Sequence, residues 1–290
     1  MEQFLVWWET APIGIWWESN PLTHLFFSPE ILIEAFPVIL KAFPVSVTFG
    51  VVSFVIGIPL GLGLAFMKMS RTRWLRWPAT LYVDVVRGTP LFLQILLVFF
   101  GLPLMPFWKS MIEAFPWMNQ AGLFGVSWSL WLRGFLVLSF NSAAYLCEIF
   151  RAGIQSIPRG QMEAARSLGM NAIKAMSWVI IPQTVRRILP TLMSEFILLF
   201  KDTALLTAVG IGEMVLRARE VAAATFNPSP YLLAATFYLL LTVPLGRLVA
   251  RLEDRLAQSE GRGAPPRPPL DLDKIDSEHV VSIDEPAAAN

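Results

Sequence analysis

The 290-residue chain is 55% hydrophobic and 12% aromatic but only 16% charged, whereas an average soluble chain carries roughly 25% charged residues, so a membrane protein is expected and an ordinary soluble domain is excluded. The formal net charge of +1, with no basic stripe, argues against a nucleic-acid partner, because neutralising many phosphates takes a basic excess. The single cysteine, Cys147, sits in an apolar run, which rules out an intrachain disulfide and reads as a small buried apolar side chain.

In chain order, the first segment, 1–37, pairs Trp7 with Trp8 and Trp16 with Trp17 near Glu9 and Glu18. That pattern suits an interfacial segment outside the membrane, and no basic n-region marks it as a cleavable signal. A spanning helix needs roughly 20 mostly apolar residues, and five stretches qualify. Val38 to Met67 is the longest, with Pro44 or Pro59 as expected kinks. Pro90 to Met105 is short, and Gly101 and Pro103 predict a helix that ends near one membrane face. Gly134 to Phe150 extends backwards through SWSLWLR. Ile188 to Gly210 carries Glu195, Lys201 and Asp202, and Pro230 to Val249 is the last. Residues 257–290, rich in Pro and acids, read as a disordered cytosolic tail.

Lysine and arginine in the connections orient these spans, since short cytoplasmic loops carry the excess. Residues 1–37 hold neither, which places that end outside. Lys68, Arg71, Arg73, Arg76 and Arg87 follow the first span, and only Lys109 and Arg133 follow the second. Arg151, Arg159, Arg166, Lys174, Arg186 and Arg187 crowd the third connection, Arg217 and Arg219 the fourth, and Arg247, Arg251 and Arg255 follow the fifth. The count alternates inside and outside, and predicts a multi-pass protein with its N-terminus outside and its C-terminus cytoplasmic.

The third connection, about 157–182, is the one amphipathic stretch between two apolar segments. Ser156 and Pro158 can start a helix, Gly169 suits the left-handed position just past its end, and Asn171 can cap a second helix that is expected to break or kink at Pro182. Glu163 lies three residues before Arg166 and four after Arg159, spacings that balance charge locally, while Ala164 and Ala165 leave a flat surface another protein can approach.

The run EAA, three residues, Gly169, nine residues, then VIIP resembles the cytoplasmic signature E-A-A-x3-G-x9-I-x-L-P of permease subunits in ATP-binding cassette (ABC) importers, with Val179 and Ile181 in place of Ile and Leu. YLCEIFRAGIQSIPRGQMEAARSLG, VRGTPLFLQILLVFFGLP and LLFKDTALLTAVGIGEM look like the polar amino acid branch of that family. The resemblance covers roughly 42–255 and leaves out both termini. It implies an all-α, polytopic membrane helical bundle of the MetI-like permease fold, in which 38–256 is the transmembrane domain, with about five core transmembrane helices and a cytoplasmic coupling-helix loop. It also implies that Glu163, Ala164, Ala165 and Gly169 dock on an ATPase subunit dimer. A second permease copy or paralogue, a periplasmic or surface-anchored solute-binding protein and membrane lipid are the other partners, in a bacterial cytoplasmic (inner) membrane.

No G-x-x-x-x-G-K-[ST] phosphate loop occurs, so ATP and Mg are expected on the partner and no cofactor or metal in this chain. Polar groups at membrane depth usually face a bundle interior or a water-filled cavity; the candidates are Gln94, Asn141, Ser142, Glu148, Glu195, Lys201 and Asp202. Asn141, Ser142 and Lys201 are taken as lining the substrate path, because a zwitterion needs both donors and acceptors. Glu148 with Arg151, and Asp84 with Arg87, are spaced as helical ion pairs, and Gly57, Gly61 and Gly63 permit close helix approach. Two competing classes stay open: a membrane scaffold that recruits an ATPase for another purpose, and an intramembrane enzyme. The second is disfavoured, since His24 and His279 lie outside the spans and no metal motif accompanies them.

Overall fold

The structure, a computed structural model, describes residues 26–259 together with Ala11 and Asn20. The tryptophan pairs and the tail beyond 259 fall outside the described residues. The described residues up to Ala250 form one compact unit, and the described part of the second unit, 251–259, is helical.

The first helix, α1 (Pro29–Met69), begins with Pro29 in its first turn beside Glu30 and ends on Lys68, the charges that its dipole favours at each end. It starts well before Val38 and runs unbroken through Pro37, Pro44 and Pro59. At 1.5 Å per residue it is about 60 Å long, twice the hydrocarbon thickness of a bilayer. The backbone N–H of Ser28 donates to Ser229 Oγ at 3.0 Å, which ties the start of α1 to the start of the last helix.

Helix α2 (Arg73–Gly88) buries Ala79 and Val83, one helical turn apart. It meets α3 (Leu91–Leu96) at an angle of 105°. Gly88 ends α2, and Pro90, which has no N–H to donate, opens α3 in extended backbone. A π turn (Leu97–Gly101) and a 3-10 turn (Leu102–Leu104) finish this span at Gly101 and Pro103, as the sequence predicts. Helix α4 (Pro106–Ala114) lies in the next connection, and α5 (Trp128–Gln155) crosses the core. Then come α6 (Arg159–Ser167), α7 (Ala172–Ala175), a π turn (Met176–Ile180) and α8 (Ile181–Asp202). A 3-10 stretch (Thr203–Val209), α9 (Met214–Thr225) and α10 (Ser229–Ser259) complete the chain.

By length and apolarity, α1, α5 and α10 can each cross a membrane, and the bent pair α2 and α3 is long and apolar enough to form a broken fourth span or a re-entrant loop. The expected Ile188 to Gly210 span corresponds to α8 and the 3-10 stretch after it. Arg186, Arg187, Glu195, Lys201 and Asp202 lower its apolarity, and regular helix stops at Asp202. It still packs inside the bundle: Ile188 and Leu192 join Ala144, Cys147 and Phe150 in one apolar cluster. The helix through Pro182 does not end there. The π turn just before it shifts the hydrogen-bond register by one residue, so the proline's missing donor and bulky ring are absorbed without a break.

At the centre, Phe49 of α1 stacks on Trp131 of α5 with ring centroids 4.1 Å apart. Lower on the same helix pair, a Cβ on Gly61 would sit 2.6 Å from Leu146 Cβ and 3.0 Å from the Ala143 carbonyl oxygen, and one on Gly57 would sit 3.2 Å from Ser142 Oγ. The glycine contact is therefore made within this chain, between α1 and α5, while Gly63 faces open space.

Candidate functional site: the loop at 157–182 and the polar residues of the bundle

The loop between α5 and α8 follows its local sequence closely. Pro158 precedes α6 in extended backbone, and the Gln161 N–H donates to Pro158 O at 3.0 Å. At the other end the Gly169 N–H donates to Arg166 O and the Met170 N–H to Ala165 O, the paired bonds of a Schellman stop. Gly169 has φ of 84°, the left-handed region that disfavours a side chain, although a Cβ there would meet nothing within 4 Å. Asn171 Oδ1 then accepts from the Lys174 N–H at 2.8 Å and caps α7.

One side-chain bond joins α6 to α8, and a second ties α8 to the end of α5 at the root of the loop. Arg187 of α8 donates to Ser156 O at 2.6 Å, at the end of α5, and Gln183 of α8 donates to Gln161 Oε1 of α6 at 3.2 Å. Glu163 and Ala164 face solvent, whereas Ala165 is buried, so the flat surface consists of Ala164 and its exposed neighbours rather than both alanines. Among the described residues Glu163 makes no ion pair; the local balance with Arg159 and Arg166 is one of proximity only. The sequence reading missed the apolar residues that the loop exposes: Leu168 is 81% exposed, and Ile173 and Trp178 are each 78% exposed. Their signal was visible as apolar side chains within a loop that otherwise carries charge. Exposed large apolar groups on a polar face mark an interaction surface.

The three residues assigned to the substrate path have different surroundings. Asn141 is buried and donates to Gln94 Oε1 at 3.0 Å, and Gln94 in turn donates to Val86 O at 2.8 Å and Thr89 O at 3.1 Å. That chain of bonds braces the α2–α3 bend against α5, because the turn leaves carbonyls that an amide can satisfy. Ser142 is fully buried against Gly57 of α1, and its hydroxyl has no hydrogen-bond partner. Lys201 lies exposed on α8. A helix interface took Asn141 and Ser142 because small polar residues let two helices approach closely.

A cavity of about 560 Å³ is lined by a different set, which includes Arg87, Tyr145, Glu148, Arg187, Thr191 and Glu195. Both signs of charge meet its wall. Glu148 is fixed there by Lys68 at 2.6 Å and Arg151 at 2.7 Å, which realises the expected helical pair and adds a partner from α1. Arg87 lies over the Tyr145 ring at 5.4 Å, and Asp84 is 3.9 Å from Lys68, so the expected Asp84 and Arg87 pair is replaced by these contacts. Glu213, which the sequence reading left unassigned, is fully buried. It caps α9 by accepting from the Leu216 N–H at 2.8 Å, and also accepts from Thr207 and, at 3.2 Å, from Tyr238 of α10.

The profile of the family described as "Binding-protein-dependent transport system inner membrane component" matches residues 57–258. The chain is 35% identical over 229 residues to the arginine transport system permease protein ArtQ of Bacillus subtilis, covering 79% of this chain and 96% of that one. It is 32% identical over 225 residues to the nopaline transport system permease protein NocM of Agrobacterium fabrum, covering 77% and 90%. A solved amino acid ABC transporter with histidines superposes with a TM-score of 0.64 at 33% identity, covering 79% of this chain and 98% of that chain. An inward-facing MetNI methionine ABC transporter, at 17% identity and a TM-score of 0.53 over 83% of this chain and 98% of that chain, shares the fold. With its helical bundle and capped loop between α5 and α8, the chain belongs to the family of binding-protein-dependent transport system inner membrane components.

Proposed function

We propose that this chain is the membrane-spanning permease subunit of an ABC importer that moves a polar amino acid into the cytoplasm, driven by ATP hydrolysis in a separate subunit docked on the loop at 157–182. The observation that carries this reading is the construction of that loop. Two short helices and the turn after them expose Glu163, Ala164, Leu168, Ile173 and Trp178; α6 is bonded to α8 through Gln161 and Gln183, and α8 is bonded to the end of α5 through Arg187 and Ser156. A partner that moves α6 therefore moves two core helices together, which is what a lever on a bistable bundle requires. The sequence contains no phosphate loop, which fits an ATP and Mg site on that partner. The arginine basis of the cytoplasmic loops supports an N-terminus outside and a C-terminus inside. A solute-binding protein then meets the outer connections, and a second permease copy or paralogue completes the bundle.

Relatives named for arginine and nopaline transport support a polar, charged amino acid as solute. Of the three path residues first assigned, Lys201 alone offers an exposed charge to a solute, and Asn141 and Ser142 act by holding helices in place. The wall of the 560 Å³ cavity, with Arg87 and Glu195, offers partners for a carboxylate and for an ammonium group.

The test is purification of the tagged chain from gently solubilised membranes, in parallel with Glu163→Lys, and identification of co-purifying proteins by mass spectrometry. An ATPase that accompanies the wild type and is lost from the variant supports the lever. An ATPase absent from both, with the chain folded, removes the reading and returns the scaffold and enzyme classes to consideration.

A further inference from the structure

Helix α2 has two apolar faces, and the bundle uses only one. Ala79 and Val83 are buried against the core. On the other side Trp74, Trp77, Leu81 and Val85 recur at three- and four-residue spacing, which aligns them in one stripe on a helix. All four are exposed, Trp74 at 90% and Trp77 at 66%. The amino-terminal end of this stripe is surrounded by Arg71, Arg73 and Arg76, each exposed, and among the described residues none of the three makes an ion pair. The carboxylate on this helix, Asp84, lies 3.9 Å from Lys68, so a cation already stands beside it.

The position of this surface is fixed by the chain. Only Ser70, Arg71 and Thr72 separate the end of α1, a membrane-crossing helix, from the start of α2, and α2 leads at 105° into α3. Because α1 stays apolar as far as Met67 and its first basic residue after that run is Lys68, the amino-terminal turn of α2 is placed at the membrane boundary, the cytoplasmic side by the arginine count. Tryptophan prefers that boundary because its ring is apolar and its N–H is polar, and arginine there attracts the anionic lipids of the inner leaflet. The free N–H groups at the start of the helix add a further positive partial charge.

We propose that the exposed face of α2 is a docking surface for anionic lipid headgroups of the cytoplasmic leaflet, with Arg71, Arg73 and Arg76 contacting phosphate and Trp74, Trp77, Leu81 and Val85 seated among the upper acyl chains. Charge decides between occupants: a second copy of this chain brought to the same face places its own three arginines against these and is repelled, whereas an anionic lipid neutralises them. The proposal rests on the chain crossing a membrane and is independent of which solute it carries or whether it is coupled to an ATPase.

The experiment uses the full chain reconstituted in vesicles of phosphatidylcholine alone or mixed with phosphatidylglycerol, with a nitroxide on Trp77→Cys in a Cys147→Ala background. Oxygen and a water-soluble nickel chelate report the depth of the label. The label is expected deeper in the phosphatidylglycerol vesicles. In parallel, phosphatidylglycerol retained through detergent purification is expected to fall about tenfold in Arg71→Gln/Arg73→Gln/Arg76→Gln and to be kept in the corresponding triple lysine variant, since the attraction is one of charge. Equal depth in both vesicle types overturns the proposal, as does spin–spin broadening from a second copy, or a depth change that inorganic phosphate alone reproduces. Because the label reading keeps the native arginines, it decides the matter even where the glutamine variant does not fold.

Discussion

The ammonium group of Lys68, at the end of α1, lies 2.6 Å from the carboxylate of Glu148 on α5, although 80 residues separate them in the chain. Arg151 holds the other oxygen of the same carboxylate from one turn further along α5, at 2.7 Å. Both Lys68 and Glu148 side chains are less than one-fifth exposed. Removing one member of such a group leaves the rest as partly buried, uncompensated charge. Glu148→Ala strands two cations and is expected to cost about 2–3 kcal/mol, while Lys68→Ala leaves Arg151 in place and costs about 1 kcal/mol, both below the range for a fully buried pair. Thermal unfolding of the purified chain in detergent should rank the two in that order; a larger loss for Lys68→Ala contradicts the shared arrangement.

Gly61 and Gly63 lie two residues apart on α1 and should respond differently to the same change. A methyl group at Gly61 meets Leu146 Cβ at 2.6 Å and backbone at 3.0 Å, so α1 and α5 must separate. Gly61→Ala is expected to destabilise by about 1–3 kcal/mol, the range for overpacking. Gly63→Ala meets nothing within 4 Å and should be neutral or gain up to about 1 kcal/mol from helix propensity. Unfolding midpoints that moved alike for both would refute the close approach of these helices.

In the loop, Gly169→Ala acts through backbone and not through contact, because φ is 84° and the surrounding space is open. The cost is about 1–2 kcal/mol, local to the stop between α6 and α7. Asn171→Ala removes the cap on α7 at about 1 kcal/mol. Both variants should retain the global unfolding midpoint and lose solute-stimulated ATPase activity in the reconstituted complex. A lowered midpoint with activity intact would assign these residues to general stability instead.

Asn141 and Gln94 bond at 3.0 Å and should behave as one unit. Each single alanine variant is expected to lose about 1–2 kcal/mol, and the double variant less than their sum, because the two side chains share one hydrogen bond that either change removes. Uptake assays should show reduced transport at unchanged solute preference. A switch in preferred amino acid with stability unaffected would restore Asn141 to the substrate path.

The loop was legible in the sequence because its structure is decided within a few residues. Pro158, Gly169 and Asn171 each supply a backbone preference or a cap whose partner lies three to five positions away. At Pro182 the chain does not break: a π turn leads directly into α8, an adjustment that composition does not announce. The polar residues of the bundle were legible as polar and not as to their partners. Asn141 and Ser142 carry the groups a zwitterion needs, and the same groups suit a tight helix interface equally well.

The sequence by itself determined that the chain is built for a membrane, which of its connections carry the lysine and arginine excess, and that one connection is a capped, exposed helix pair. These follow from hydropathy, charge counts and local backbone chemistry, all of which act over short stretches of chain. Only the tertiary structure decided that Glu148 is clamped by Lys68, that Asn141 braces the bend at Gly88 to Pro90, that Glu213 is buried beneath Tyr238, and that a mixed-charge cavity is walled by Arg87 and Glu195. Each depends on which faces of distant helices meet. That choice is made by steric fit, such as Leu146 against the bare backbone of Gly61, which no single stretch of sequence contains.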